Sequence, residues 1–386
     1  MISSGFSRNV LGFCAAAALL AGCGGSQSPV TSGAMPNGIA APTYATQSSL
    51  PLRAQSGFAY LYTFKAYADG AVPEGPLVAM GDKLYGTTTG GGATSRGTVF
   101  ALTTSGAERV VYSFGDQGIS YEDGAGPWYL IAHASVLYGS TYEGGLANDG
   151  TAFALSASGR ERFVFSFKAR ISGAMPSALV AMNGMIYGIA QGGRFGNGLV
   201  FEITPSGKEH SLHLFKGRSD GATPESLVVV DNELYGTTSG GGSGARGTVF
   251  KIDSQGKEHI IYNFDGLSGS PVGPLLYVNG ELYGSTAYGG IFAMKTSGKE
   301  RAVTSGIKGA LLSYMSNALY AVVPGYVNGA IYKVSTSGHV TKLHQFSAHK
   351  GGREPSSPLL PLNGVLYGAT AFAARGGHGT VYQLGP

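Results

Sequence analysis

From residue 57 onward the chain runs as short apolar stretches separated by turn residues, and residues 76–114 show the unit. Pro76-Leu77-Val78-Ala79-Met80 is an apolar run closed by Gly81-Asp82, a tight-turn pair. Lys83-Leu84-Tyr85-Gly86-Thr87-Thr88 predicts a second strand, and Gly90 to Arg96 a loop. Gly97-Thr98-Val99-Phe100-Ala101-Leu102-Thr103 predicts a third, ended by Ser105-Gly106, and Glu108 to Phe114 a fourth. We letter these strands A to D.

The unit recurs. Leu77, Leu130, Leu179, Leu227, Leu275, Leu312 and Leu359 are each followed eight residues later by a Tyr, from Tyr85 to Tyr367. The Tyr residues lie 53, 49, 48, 48, 37 and 47 positions apart. Fixed internal spacing at that period means one supersecondary unit used repeatedly. Strand C carries Phe100, Phe153, Phe201, Phe250, Phe292, Tyr332 and Tyr382, and strand D ends in Phe114, Phe167, Phe215, Phe264 and Phe346. The C–D turns repeat as Ser105-Gly106, Ser158-Gly159, Ser206-Gly207, Gln255-Gly256, Ser297-Gly298 and Ser337-Gly338, which reads as a two-residue hairpin needing positive φ.

The last repeat stops after strand C, at Gly379 to Leu384, while Phe58 to Phe64 stands alone ahead of the first repeat and matches strand D. Pairing the two completes a seventh unit and leaves no open sheet edge in the ring. The expected fold is an all-β, seven-bladed β-propeller of four-stranded blades, closed by the N-terminal strand. A β-solenoid is the rival architecture, but its coils are usually shorter than this period.

The first residues set the compartment. Arg8 precedes an apolar run, Val10 to Ala21, of signal-peptide length and too short to span a bilayer. Leu20-Ala21-Gly22-Cys23 follows, matching the bacterial lipobox. The expectation is a signal peptide over 1–22, lipidation of Cys23, a flexible tether over 23–56 and the propeller over 57–386. The tether is rich in Ser, Gly, Pro, Ala, Thr and Gln, with Arg53 its only charge, and such a composition cannot bury a core. Gly24, with no Asp at that position, leans toward the outer membrane in a diderm cell. The expected location is the cell envelope, lipid-anchored and extracytoplasmic. Of the two Cys, Cys14 lies in the apolar run, so the mature chain has no pair for a disulfide or a Cys metal site.

Composition narrows the partners. Only 12% of residues are charged, the formal net charge is +4, and no block of like charges occurs. That argues against nucleic acid. A closed propeller is expected to be monomeric.

The string Leu-Tyr-Gly-Thr-Thr, a Gly run, Gly-Thr-Val-Phe and then Ser-Gly resembles the Gloeo-Verruco (GloVer) tandem repeat of bacterial surface proteins. Leu84 to Phe100 and Leu234 to Phe250 match best, as does Asp220-Gly221-Ala222-Thr223-Pro224. The resemblance covers essentially all of 57–386; it implies a propeller and a cell-envelope location, and carries no established activity. The fifth repeat departs, with Gly289-Gly290 directly before Ile291-Phe292 and no Phe ending strand D; the sixth has Ala321 after its Tyr where the others have Gly.

In an up-and-down blade the A–B and C–D turns share one face, and the B–C loops and D–A crossovers share the other. The first face is short and uniform, so the second is the candidate functional face. Its long crossovers, 65–76, 115–129 and 347–358, predict taller loops over blades seven, one and two. Trp128 (the only Trp), Tyr121, Asp123, Tyr142, Glu143, Arg96, Arg375 and His378 fall there as candidate ligand-binding residues. Aromatic platforms with carboxylates and guanidinium groups suit carbohydrate or peptide recognition. Arg96, Asp149, Asn197, Arg246, Asn328 and His378 also share one slot, before the Gly that opens strand C, and a repeated slot equally reads as turn chemistry. Asp69, Asp123 and Asp220 begin Asp-Gly-x-x-Pro and read the same way. The His residues occupy repeat positions, no nucleophile elbow, Walker sequence or calcium loop occurs, and no metal or cofactor is expected. Two classes stay open: a binding module for a glycan, polymer or envelope protein, or a hydrolase or lyase acting on carbohydrate or peptide.

Overall fold

The computed structural model describes residues 57–115, 121–266, 269–325, 329–347, 352–373 and 377–385. They form seven antiparallel sheets arranged in a ring. Strands A to D of blade one are Val78–Met80, Lys83–Thr88, Thr98–Thr103 and Glu108–Ser113. Blades two to six repeat that order, beginning at Ala125, Ala174, Ala222, Pro271 and Leu311. In blade seven, Gly352–Pro355 and Leu360–Leu362 both pair with strand B, Val365–Ala373, which pairs with strand C, Thr380–Gly385. The N-terminal strand Gly57–Thr63 pairs antiparallel with Thr380–Gly385, from Gly57 opposite Gly385 to Thr63 opposite Thr380. Each strand A touches the strand A of the next blade all the way round, including Leu360–Leu362 against Val78–Met80.

The A–B turns are two-residue hairpins, and in blades two to seven both residues have positive φ, as at Asn183-Gly184 and Asn363-Gly364. That is the turn whose twist matches paired strands. The C–D turns are one residue longer than expected. Thr103 N–H bonds to Ala107 O at 2.9 Å, so three residues lie between, and Gly106 takes the left-handed slot at φ 92°. Gly is needed there, in the bulge position of a three-residue hairpin rather than in a two-residue turn.

The core sits between blades. Phe64, Phe114, Phe167, Phe215, Phe264 and Phe346 are all buried, each just past the end of a strand D. Each meets edge-on the strand C aromatic of the following blade, as Phe114 meets Phe153 at 5.1 Å and Phe346 meets Tyr382 at 5.2 Å. The strand B Gly makes room for that second ring. A Cβ on Gly86 would stand 2.5 Å from Phe100 Cζ and 2.8 Å from Leu77 Cδ2.

One junction is built otherwise, and it accounts both for the missing strand D Phe of the fifth repeat and for Ala321 in the sixth. Blade five ends strand D without Phe, and the space toward blade six is filled by Ile307, Ala310, Leu312 and Val334. Tyr332, the strand C aromatic of blade six, is only partly buried, with Lys342 Nζ 5.7 Å from its ring centre. With no ring pressed inward there, the Gly is not required, and Ala321 is buried in its place.

Candidate functional site

The crossovers into blades one to four follow one scheme on the loop face, which explains Asp-Gly-x-x-Pro. The Asp carboxylate ties the end of strand D to the crossover. Asp69 accepts Lys65 N–H at 3.0 Å and Tyr62 O–H at 2.6 Å; Asp123 accepts Gly115 N–H at 2.7 Å and Tyr112 O–H at 3.1 Å. Asp220 accepts Lys216 N–H at 2.8 Å and stands 3.3 Å from His213 Nε2. The Gly packs on a buried pair of Thr hydroxyls, Thr141 and Thr151 in blade two, 2.8 Å apart. The residue before Pro takes positive φ, as Val72 (60°), Gly126 (61°), Met175 (51°) and Thr223 (55°) do. Its N–H bonds to the carbonyl just before strand C of the preceding blade: Gly126 to Arg96 at 2.9 Å, Met175 to Asp149 at 2.9 Å, Val72 to His378 at 3.0 Å. The Pro ring then lies against the Gly that opens that strand, Pro127 on Gly97 and Pro73 on Gly379. The shared slot of Arg96, Asp149, Asn197 and His378 is therefore a blade-to-blade clasp made by the main chain, so different side chains can fill it.

Of these side chains, Arg96 reaches the junction of blades one and two. A cleft of about 570 Å³ opens there on the loop face, lined by Trp128, Tyr142, Glu143, Arg96, Glu74, Asn148 and the 94–95 and 125–126 segments. Trp128 is half-buried; its carbonyl accepts Thr87 O–H at 3.2 Å, which fixes its main chain. Tyr142 is 46% exposed, with its ring centre 6.3 Å from that of Trp128 and the planes tilted by 33°. Asn148 sits at positive φ, and its Oδ1 accepts Gly144 N–H at 3.0 Å. The Arg96 side chain lies along Gly115. Burial, reinforced by nearby Glu354 and opposed by a hydrogen bond from Thr89, pushes the Glu74 carboxyl up to about 7.

Four of the expected residues thus converge: Arg96, Trp128, Tyr142 and Glu143. Trp128 does so from strand Ala125–His133 rather than from a loop, because strand A of blade two starts earlier than its sequence pattern indicates and the 115–129 crossover is correspondingly shorter. Asp123 is buried and engaged in the crossover tie. Tyr121 falls in the 3-10 turn Tyr121–Asp123. His378 belongs to the junction of blades seven and one, away from the lining residues. Arg375 and Cys23 lie outside the described residues. Glu74 is the residue sequence reasoning missed. Its signal was present: it follows the Pro of Asp-Gly-x-x-Pro, the same slot as Trp128 and Glu225. Glu225 is likewise raised by burial to about 7.

Among the described residues, every large apolar side chain left exposed lies on this face: Tyr67, Tyr142, Leu146, Ile171, Met175, Phe195 and Tyr288. Exposed apolar groups gathered on one side of a ring mark an interaction face.

Fold and cleft together define a seven-bladed β-propeller whose crossover loops frame a recess between two blades. The chain belongs to the Gloeobacter/Verrucomicrobia repeat family, whose model matches residues 51–233 and 119–298. No curated protein matches it. Among solved structures it is similar to virginiamycin B lyase from Staphylococcus aureus, at 15% identity over 81% of this chain and 94% of that one, with a TM-score of 0.60. It is also similar to the WD40 β-propeller domain of Doa1, at 12% identity over 84% and 97% of the two chains, with a TM-score of 0.56. At such identities the likeness is one of fold.

Proposed function

We propose that this protein is a cell-envelope binding module, anchored through a lipid on Cys23, that takes a glycan in the cleft between blades one and two. The observation that carries the reading is the cleft itself, where an indole and a phenol face the same recess as two carboxyls, an amide and a guanidinium. A pyranose offers an apolar C–H face to an aromatic ring and a fringe of hydroxyls to polar side chains, so this lining suits it. The module is monomeric and extracytoplasmic in this reading, at the outer membrane where the cell has one. A glycan array on the mature chain, followed by titration of any hit, tests it. Trp128→Ala should weaken binding at least tenfold, about 1.4 kcal/mol. Lys257→Ala, on a C–D turn of the opposite face, should bind as wild type. Unchanged affinity in Trp128→Ala, or a loss confined to Lys257→Ala, overturns the assignment.

A second reading has one observation in its favour. A carboxyl held near neutrality inside a cleft, as Glu74 is, is suited to moving a proton in a hydrolase or lyase reaction. Turnover of a bound glycan that disappears in Glu74→Gln while binding persists would move the assignment from module to enzyme.

A further inference from the structure

The loop face is not uniform. Over blades two to four it carries Leu146 and Ile171, 71% and 70% exposed, with Met175 and Phe195 beside them. These side chains stand on three consecutive loops whose main chains are tied together. Ala169 N–H bonds to Asp149 Oδ2 at 2.8 Å and Gly193 N–H to Ala169 O at 2.7 Å, joining loop 144–150, crossover 167–175 and loop 192–198. The sector is therefore a fixed surface, not a set of independent tips.

Its charge is one-sided. Exposed Lys168, Arg170, Arg194, Lys216 and Arg218 lie in these loops and the next crossover. The carboxylates in the same segments are Asp149 and Asp220, each engaged by a main-chain N–H. The neighbouring cleft, by contrast, holds Glu74 and Glu143. Two of the cations directly precede an exposed apolar residue, Arg170 before Ile171 and Arg194 before Phe195, and the Arg194 guanidinium lies 5.8 Å from the Phe195 ring centre.

We propose that this sector docks on an anionic lipid surface. An apolar tip beside a cation is the arrangement that partitions at a headgroup boundary: the apolar group enters the acyl margin while the cation stays with the phosphates. An acidic protein or polyanion would use the cations and leave four apolar side chains without a role. Gly57, where a tether would join, lies on the opposite, short-turn face. Fully extended, residues 23–56 would span at most roughly 110 Å at about 3.3 Å per residue, enough to let the ring turn this sector toward a bilayer.

The test is co-sedimentation of residues 57–386, which contain every strand of the seven sheets, with vesicles of phosphatidylglycerol and phosphatidylcholine or of phosphatidylcholine alone. Binding should be at least tenfold tighter to the anionic vesicles and should weaken with salt. Ile171→Ser with Phe195→Ser should weaken it at least tenfold at unchanged melting temperature; Arg170→Glu with Arg194→Glu should abolish the preference for anionic vesicles. No sedimentation with either vesicle, or binding indifferent to the apolar pair, overturns the proposal. Capture by an acidic protein or polyanion that survives the Ser pair while vesicles fail to bind replaces lipid with that partner. The glycan assignment concerns a different cleft and stands or falls separately.

Discussion

Phe64 and Phe100 meet edge to face, ring centres 5.0 Å apart and planes at 68°. Phe64 follows the N-terminal strand that lies beside the C-terminal one, and Phe100 is in strand C of blade one. The contact therefore repeats, at the meeting of the chain's two ends, what Phe114 and Phe153 do inside it. Phe64 N–H also bonds to Gly379 O at 3.0 Å, matching Phe114 to Gly97 and Phe167 to Gly150. The same wedge is used wherever it falls in the sequence.

Removing that wedge should be costly. Phe64→Ala is expected to destabilise by about 3–5 kcal/mol, as for other buried Phe truncations. Deleting 57–64 should do more, since it strips a strand from the seventh sheet and bares the edge of Thr380–Gly385. The melting temperature should fall by many degrees and aggregation rise, while deletion of 24–50 changes neither. Calorimetry of the three proteins decides; equal melting temperatures for the two deletions would refute a structural role for the N-terminal strand.

The junction of blades five and six offers an internal control. Gly86→Ala places a methyl against Phe100 and Leu77 and should cost toward the upper end of about 1–3 kcal/mol. Ala321→Gly, at the equivalent slot with no ring pressing on it, should cost only about 0.5–1 kcal/mol. Urea titrations should rank the two in that order. The reverse order would mean that the strand B Gly answers to something other than the aromatic behind it.

The fold was legible because each blade repeats its signals: a Leu and Tyr at fixed distance mark strands A and B, and an aromatic marks strand C. Less legible was why Gly and Pro recur. Their reasons lie between blades, where Pro127 meets Gly97 and Phe114 meets Phe153, and one strand's residues do not reveal the neighbour they face. The site divided along the same line. Trp128 and Tyr142 stood out as aromatic residues on the variable face, but Glu74 shares a slot with Trp128 that only the crossover geometry turns toward the cleft. Asp123 looked equally available to a ligand and is instead the tie that Asp69 and Asp220 also form.

Stability should depend on pH in a definite direction. Glu74, Glu108, Glu225 and Glu258 are all raised to about 7, chiefly by burial. A carboxyl raised in the folded state stabilises while protonated, fully below its ordinary value and progressively less as pH climbs through about 7. His133, His213 and His344 are lowered by burial, so their contribution is present at higher pH and is lost on acidification below the ordinary His value of 6.5. The melting temperature should therefore rise by a few degrees from pH 8.5 to 6.5, with the buried His residues opposing further gain on acidification below that. Glu74→Gln with Glu225→Gln should flatten the upper limb. A melting temperature that climbs steadily to pH 8.5 would contradict the burial of these carboxyls.

The proposed anchor makes the most direct prediction in cells. Leu20-Ala21-Gly22-Cys23 follows a short apolar run, and the proposed processing before Cys23 would leave a thiol and a new amine on one residue for acylation. A single acyl chain holds a protein only marginally, whereas several on one residue hold it stably. Wild-type protein should then incorporate labelled fatty acid and fractionate with membranes, and Cys23→Ser should lose the label and appear in the soluble fraction. The propeller begins well past this residue, so the released variant should melt as the wild type does. Wild-type protein that is unlabelled and soluble would remove the anchor. A Cys23→Ser variant that loses the label yet stays on membranes would instead leave the cationic, apolar sector over blades two to four as what holds it there.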